Sequence, residues 1–195
     1  MVPAAISRAA IAAVLASLCC SWPARCAEYR PEILIRSGDP APGLGGDETF
    51  NLLTNIDIDS AGTIVVLAYV RDHEQGFWTA TPSEIQFVAL GGEPIAELPG
   101  FRFGGYQGIG SRIESGRLLI HGSLIGSPNI DETLLYGPPG GLRLVAGDGV
   151  PAPGIGPDVS FRHLMDSIYA NRSGEVMFTA QLNRSGIPVD EAGLW

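Results

Sequence analysis

The sequence contains no lysine, and its three cysteines (Cys19, Cys20 and Cys26) all lie near the amino terminus. If that region is removed as a leader, the remaining chain has no disulfide and must be stabilised by packing alone. Charged residues are scarce at 17%, whereas apolar residues reach 45%, which is typical of a folded domain and argues against disorder. The 26 glycines and 15 prolines favour many turns over long helices.

Positive charge is also scarce, and the formal net charge is -9. Removing residues 1–26 takes away Arg8 and Arg25 but no acidic residue, so 10 arginines face 21 acidic residues and the net charge becomes -11. Such a surface repels phosphate backbones and anionic lipid headgroups. We therefore expect no binding to nucleic acid.

Long apolar runs are absent as well. The run Ala9–Cys20 has 12 residues, whereas a transmembrane helix needs about 20. Arg8 precedes the run and Ser21-Trp22-Pro23 ends it, a pattern typical of a secretory signal peptide. We predict no membrane span and a signal peptide over residues 1–26, which implies a secreted or periplasmic protein, with the cell surface as a further possible location.

The cleavage site is predicted after Cys26, because small Ala24 then occupies the position three residues before the cut. Cleavage after Ala27 would place bulky Arg25 there. Lipid attachment at Cys19 or Cys26 is also disfavoured, because Leu18 and Arg25 precede those cysteines where a small residue is needed.

Three kinds of segment recur along the rest of the chain. A Gly-Asp-Pro-Ala-Pro-Gly type of segment follows an apolar stretch at 33–43, 87–94 and 144–154. A polar turn ends at Gly62, Gly116 and Gly174, with spacings of 54 and 58 residues. An aromatic position falls at Trp78, Tyr136 and Trp195, with spacings of 58 and 59 residues. Because three sets of segments recur at similar intervals, they indicate an internal repeat, with the aromatic residues in its core.

Each repeat has the pattern of a β-meander. Thr63–Val70 follows the turn glycine as an apolar strand, and Asn55–Asp59 precedes it, which predicts a hairpin. The aromatic position begins a third strand and a further apolar stretch gives a fourth. We predict an all-β fold, a single β-repeat domain over 27–195 of about three four-stranded, β-propeller-like units, roughly 32–86, 87–143 and 144–195.

The repeat pattern begins with a last-strand segment, Glu32–Ser37, and stops at the third-strand residue Trp195. Three units are fewer than the four to eight blades of usual propellers. Either the ring closes by oligomerisation or the chain is part of a longer array, so the repeat is incomplete or open. We expect Glu32–Ser37 to pair with Gly193–Trp195 or with a neighbouring chain, and open sheet edges to allow self-association.

The Gly-Asp-Pro-Ala-Pro-Gly segment, the Gly-Leu-Trp sequence at 193–195 and Asn171–Phe178 resemble the bacterial exported tandem-repeat proteins with an N-x-x-G-x-x-A-F motif. That resemblance covers nearly all of the chain after the leader. Met177 stands where the motif has alanine. The resemblance implies a propeller-like β-repeat protein of unknown function, often attached to the cell surface.

Sites of chemistry are few. Asp57 and Asp59 before Gly62 could contribute to a calcium loop, but Ala61 and Ala68 lack the oxygen ligands that such a loop needs. The preferred interpretation is the solvent face of a strand entering a turn. The histidines (His73, His121 and His163) do not occupy equivalent repeat positions, and we expect surface or packed side chains rather than a metal site. The glycine-rich stretch at 104–110 lacks a P-loop lysine and is interpreted as an inter-strand loop.

No catalytic, cofactor-binding or metal-binding residue is predicted. The leading hypothesis is an exported, non-enzymatic β-repeat protein that binds an unknown envelope or extracellular ligand or serves as a surface scaffold. The alternative is a periplasmic or secreted propeller-type hydrolase or lyase, with carbohydrate recognition as a third option.

Overall fold

A computed structural model of the protein describes residues 32–70, 74–126, 128, 130–185 and 187–195. Within these ranges the chain contains eleven β-strands and no helix, which confirms the all-β prediction. The predicted signal peptide and His73 lie outside the described residues. No helix in the described part of the chain is long and apolar enough to cross a membrane.

The strands form three antiparallel sheets in chain order. The first sheet contains β1 (Leu52–Ile58), β2 (Ile64–Val70), β3 (Glu74–Thr81) and β4 (Glu84–Leu90). The second contains β5 (Arg102–Glu114), β6 (Arg117–Ile125), β7 (Ile130–Gly137) and β8 (Arg143–Gly147). The third contains β9 (Val159–Ala170), β10 (Val176–Arg184) and β11 (Ile187–Leu194). Since strands adjacent in sequence are paired, each sheet is a simple meander.

Two expectations about strands need correction. The glycine-rich stretch at 104–110 is not a loop but belongs to β5, whose pairing with β6 is irregular between Tyr106 and Ser111. Residues 32–36 form no strand, and in the described part of the chain the third sheet has three strands with β11 at its edge. Glu32–Ser37 therefore does not pair with Gly193–Trp195 within this chain. Trp195 instead exchanges two backbone hydrogen bonds with Phe178.

The sheets end slightly later than the repeat boundaries derived from sequence. The boundaries near 86/87 and 143/144 fall inside β4 and β8. The long connections come after these strands and lead into the next sheet.

These two connections and the segment that leads into the first sheet share one structure, which we call a clasp. The three clasps are Gly38–Phe50, Gly92–Phe103 and Gly149–Phe161. In each clasp the glycine N–H donates to the phenylalanine carbonyl at 2.7 to 2.8 Å, and the phenylalanine N–H donates to the carbonyl of the residue after the glycine. The glycines have φ values of 77° to 90°, which L-residues rarely adopt. The phenylalanines are fully or almost fully buried. Each recurrent Gly-x-Pro segment therefore begins a hydrogen-bonded loop that leads into the first strand of a sheet.

The sheets pack face to face through their alternating side chains. Val65 and Leu67 of the first sheet share a core cluster with Leu118 and Ile120 of the second. Leu119 and Leu134 lie on the opposite face of the second sheet. They belong to another core cluster, to which the third sheet contributes residues such as Phe178 and Ala180. The remaining face of the first sheet is covered by its own clasp, where Phe50 packs against Trp78 at 4.9 Å between ring centroids.

A cationic groove between the second and third sheets

The two aspartates that resembled a calcium loop hold the first sheet to the second. Asp59 is buried and does not lie on the solvent face that the sequence predicted. Its Oδ1 accepts hydrogen bonds from the Ala61 and Thr63 amides at 2.9 Å. Its Oδ2 accepts a hydrogen bond from the Gly116 amide at 3.1 Å, in the next hairpin. Asp57 Oδ2 likewise accepts from the Ile113 amide at 3.1 Å. Both carboxylates therefore satisfy backbone donors of the fold.

The three hairpin turns meet around Glu114. Its Oε1 accepts a hydrogen bond from Ser60 Oγ of the first turn at 3.3 Å, and it lies 3.2 Å from Arg172 Nε of the third. This carboxylate thus joins the turns of all three sheets. The Arg172 side chain is 75% exposed, so this ion pair contributes little to stability.

The two described histidines have separate environments. His121 is buried in β6. His163 Nδ1 lies 2.6 Å from Glu132 Oε1, and the other oxygen of that carboxylate accepts the Leu164 amide at 2.7 Å. Among the described residues, no group of three or more histidine, cysteine, aspartate or glutamate side chains is placed to hold a metal ion.

The aromatic position of the repeat is displaced by one residue in the second sheet. Trp78 pairs with Val66, four residues after the turn glycine, and Trp195 pairs with Phe178, also four residues after it. The equivalent partner in the second sheet, Ile120, pairs with Leu135 rather than Tyr136. The prediction that Tyr136 matches the two tryptophans is therefore wrong.

A one-residue change of register turns a side chain to the other face of a sheet. Leu135 accordingly packs in the cluster shared with the first sheet, whereas Tyr136 packs against the cluster shared with the third. The Tyr136 hydroxyl is buried there and has no hydrogen-bond partner. Buried polar groups of native proteins usually have a hydrogen-bond partner, and an exception calls for an explanation such as a functional role.

Tyr136 lines a groove of about 430 Å³ with Arg117, Arg143, Glu97 and the backbone around Pro138. We call this the cationic groove. Arg117 begins β6, and Arg143 is paired with Tyr136 across β7 and β8. Both arginine side chains are exposed and form no ion pair or hydrogen bond within the described residues.

Gly174, in the turn of the third sheet, lies against this groove. A Cβ atom at Gly174 would be 2.7 Å from Arg117 Nη1 and 3.4 Å from the Tyr136 hydroxyl. The backbone of the turn therefore approaches both polar groups closely, and its φ of 86° also favours glycine.

The first and second sheets form an equivalent groove, which we call the neutral groove because its residues at the positions of Arg117, Tyr136 and Arg143 carry no charge. It is lined by Thr63, Thr79, Gln86 and Glu84, with Thr81, Gly116 and Pro139 beside them, and its volume is about 160 Å³. Thr63 and Arg117 each follow a turn glycine directly, so these two positions are equivalent. Thr79 matches Tyr136, since Thr79 pairs with Val65 and Tyr136 pairs with Leu119. Gln86 matches Arg143, because Gln86 pairs with Thr79 and Arg143 pairs with Tyr136. Three small or neutral residues are thus replaced by two arginines and a tyrosine at the same repeat positions.

The cationic groove is suited to binding an anion. Guanidinium groups donate several hydrogen bonds in a fixed planar arrangement that matches carboxylate and phosphate oxygens. Neither arginine forms an ion pair within the described chain, so both can donate hydrogen bonds to a ligand. The sequence alone did not reveal this site, because the equivalence of Arg117 with Thr63 and of Arg143 with Gln86 depends on strand register.

The family model that matches the chain is described as a family of unknown function (DUF7453), and it covers residues 25–195. The chain belongs to this family. No curated protein and no solved structure matches it. The groove geometry is therefore the basis on which a function of this DUF7453 member is argued.

Proposed function

We propose that the protein is an exported, non-enzymatic β-repeat protein that binds an envelope or extracellular ligand in the cationic groove. The observation that carries this proposal is the difference between two grooves built on the same strand positions. At the three equivalent positions the neutral groove has two threonines and a glutamine, with Glu84 also in its lining. In the cationic groove Arg117 and Arg143 form no ion pair or hydrogen bond among the described residues.

A propeller-like arrangement of the three sheets is part of the proposal. Its support is that the first strands of successive sheets contact one another, β1 with β5 and β5 with β9. Innermost strands of neighbouring propeller blades are adjacent in the same way. The grooves then lie between successive blades, and the binding residues come from the blades rather than from long loops.

Export is supported by the sequence pattern of residues 1–26. Cells that express the full chain should contain a shortened protein outside the cytoplasm, with an amino terminus near Ala27 or Glu28 by mass spectrometry. An intact Met1 on a membrane-embedded product would contradict export. This experiment is independent of ligand binding.

One reason to prefer binding over catalysis is the position of the carboxylates of the first two turns. Asp57, Asp59 and Glu114 all accept hydrogen bonds from backbone amides or from a neighbouring hairpin. The cationic groove itself offers hydrogen-bond donors and charge. These groups position a ligand and do not by themselves supply a nucleophile.

The test compares the parent protein with the triple variant Arg117→Thr, Tyr136→Thr, Arg143→Gln, whose new residues are those of the neutral groove. Immobilised parent should retain a component of polysaccharide, peptidoglycan or envelope extracts that the triple variant does not retain. Arg162→Thr, an exposed arginine outside the groove, is the control for charge. Equal retention by all three proteins would contradict the proposal.

The hydrolase or lyase alternative is tested on the same proteins. A panel of esters, lactones and glycans should show no turnover by the parent, with or without added divalent metal ions. Turnover that persists in the triple variant would place catalysis elsewhere and overturn the non-enzymatic function.

A further inference from the structure

We infer that the ligand of the cationic groove is a small monocarboxylate that also carries hydroxyl or ammonium donors, such as an acidic monosaccharide or an amino acid. This inference rests on the proposed function, namely that the groove is a binding site. It adds the chemical class of the ligand. Three properties of the groove lead to it: its donors, its size and the charge around it.

The donors select a carboxylate. Arg117 and Arg143 both line the groove and form no ion pair or hydrogen bond within the described chain. The Tyr136 hydroxyl adjoins Arg117 near Gly174 and lacks a hydrogen-bond acceptor. A carboxylate has two oxygens that accept up to about four hydrogen bonds, so it can bridge guanidinium groups.

Size limits the ligand to a small molecule. The groove volume is about 430 Å³, near the lower end of the 300–1,000 Å³ range that is typical of small-molecule sites. Pro138 adds an apolar surface against which a sugar ring or an aliphatic chain can pack. A monosaccharide or an amino acid is of the corresponding size.

The surrounding charge excludes ligands with many negative groups. The chain has a net charge of -9, and Glu97 is one of the residues that line the groove. Polyanions and phosphate dianions meet this repulsion, whereas a single carboxylate can be neutralised by the two arginines. Glu97 has no partner among the described residues, so it can accept hydrogen bonds from a ligand hydroxyl or ammonium group.

The experiment measures binding of glucuronate and L-alanine to the mature protein by calorimetry and NMR titration. At least one should bind, at least tenfold more tightly than glucose, inorganic phosphate or polygalacturonate. Glucuronate binding without alanine binding identifies the sugar-acid source, and the reverse identifies the amino-acid source. Binding should weaken as salt increases, because the arginines are exposed and their charges are screened.

Variants connect this binding to the groove. Arg117→Thr and Arg143→Gln should each weaken binding at least tenfold, which corresponds to about 1.4 kcal/mol. Arg117→Lys keeps the charge but loses the planar fork of donors, so its loss should be smaller than that of Arg117→Thr. Arg162→Thr should leave binding unchanged. Circular dichroism and thermal unfolding check that each variant is folded.

The possible failures can be distinguished. If extract components are retained through the groove but neither glucuronate nor alanine binds, the ligand class is wrong and the proposed function stands. Tighter binding of phosphate or glucose than of both carboxylates would likewise overturn the ligand class. Carboxylate binding that Arg117→Thr and Arg143→Gln leave unchanged would overturn the assignment to this groove.

Discussion

The carboxylate of Asp59 accepts a hydrogen bond from the backbone amide of Gly116 at 3.1 Å, although the two residues belong to different sheets. The other oxygen of the same carboxylate accepts two amides of its own turn. One buried side chain therefore fixes both the shape of the first hairpin and its attachment to the second.

Asp59→Ala should reduce the free energy of unfolding by about 2 kcal/mol or more, because three backbone donors lose their acceptor in a largely buried place. Asp59→Asn should cost less, since an amide oxygen can still accept the two local amides. Urea denaturation measures both. Asp47→Ala, at an exposed aspartate with no hydrogen bond or ion pair among the described residues, should cost less than about 0.5 kcal/mol. Equal stability of Asp59→Ala and Asp47→Ala would contradict the structural role, and added calcium should not change the ranking.

Gly76→Ala should destabilise the first sheet. A Cβ atom there would lie 2.6 Å from the Trp78 ring and 3.0 Å from the Ala89 carbonyl oxygen, so the packed indole would have to move. Such overpacking costs about 1 to 3 kcal/mol. Gly91→Ala is the matched control, because the nearest atom to its Cβ, the Gln75 oxygen, is 3.5 Å away. Thermal unfolding should separate the two variants, and a neutral Gly76→Ala would mean that the tryptophan is not packed over this glycine.

Asp148→Asn should stabilise the protein at neutral pH. Partial burial, followed by the charges of Asp131 and Glu132, raises the pKa of Asp148 above its ordinary value of 3.8. The folded state therefore holds this proton more tightly than the unfolded state, and stability falls as the pH rises from 3.8 through the raised pKa. Asparagine does not ionise, so the loss of stability with rising pH is removed, and its side-chain oxygen can still accept a hydrogen bond from the Gly149 amide.

The urea midpoints at pH 7 and pH 3 test this prediction. The gain of Asp148→Asn over the parent should be present at pH 7 and disappear at pH 3, where the aspartate is protonated in both states. Asp47→Asn should show no gain at either pH. A gain of the same size at both values would contradict a titration effect.

Self-association through the open edge of the third sheet is a further prediction. β11 is an edge strand, and Leu194 near its end is 65% exposed. Unpaired strand edges recruit other strands unless they are protected. Sedimentation should show concentration-dependent association of the mature chain, which Leu194→Arg weakens. Ile155→Arg is the control, because this residue is 45% exposed in a clasp turn outside the sheets.

Deleting residues 28–37 tests whether association occurs because this segment of one chain pairs with the edge strand β11 of another. If this segment completes the third sheet of a neighbouring chain, the truncated protein should remain folded but become monomeric. Its fold should lose only a modest amount of stability, because the deletion removes Ile35, which packs partly buried against the cluster that contains Phe50 and Trp78. A parent protein that is monomeric at all concentrations would contradict self-association.

The sequence predicts the strands and hairpins well because their signals are local. Gly62, Gly116 and Gly174 each adopt positive φ in the turn where a glycine was expected. The register of the third strand could not be predicted in this way. The aromatic Tyr136 matches the tryptophans in type, but the pairing of Leu135 with Ile120 depends on contacts between strands.

The candidate site was hidden for the same reason. Arg117 and Arg143 are 26 residues apart in sequence, and neither has a motif around it. They come together because β6, β7 and β8 are paired, and they become informative only when compared with Thr63 and Gln86. A sequence comparison of the repeats that used the turn glycines as anchors would have aligned the first pair, but the second pair requires the structure.

The clasps have a consequence for how the chain reaches its folded state. Each clasp closes a loop of about a dozen residues, for which the loss of chain entropy is small. The sheets also pair only strands that are neighbours in sequence, so in the described part of the chain no sheet needs a strand from a later repeat. Closing the short turn between two such strands costs little chain entropy. A chain that enters a new compartment amino terminus first can therefore complete one sheet before the next arrives, with no need to wait for its far end.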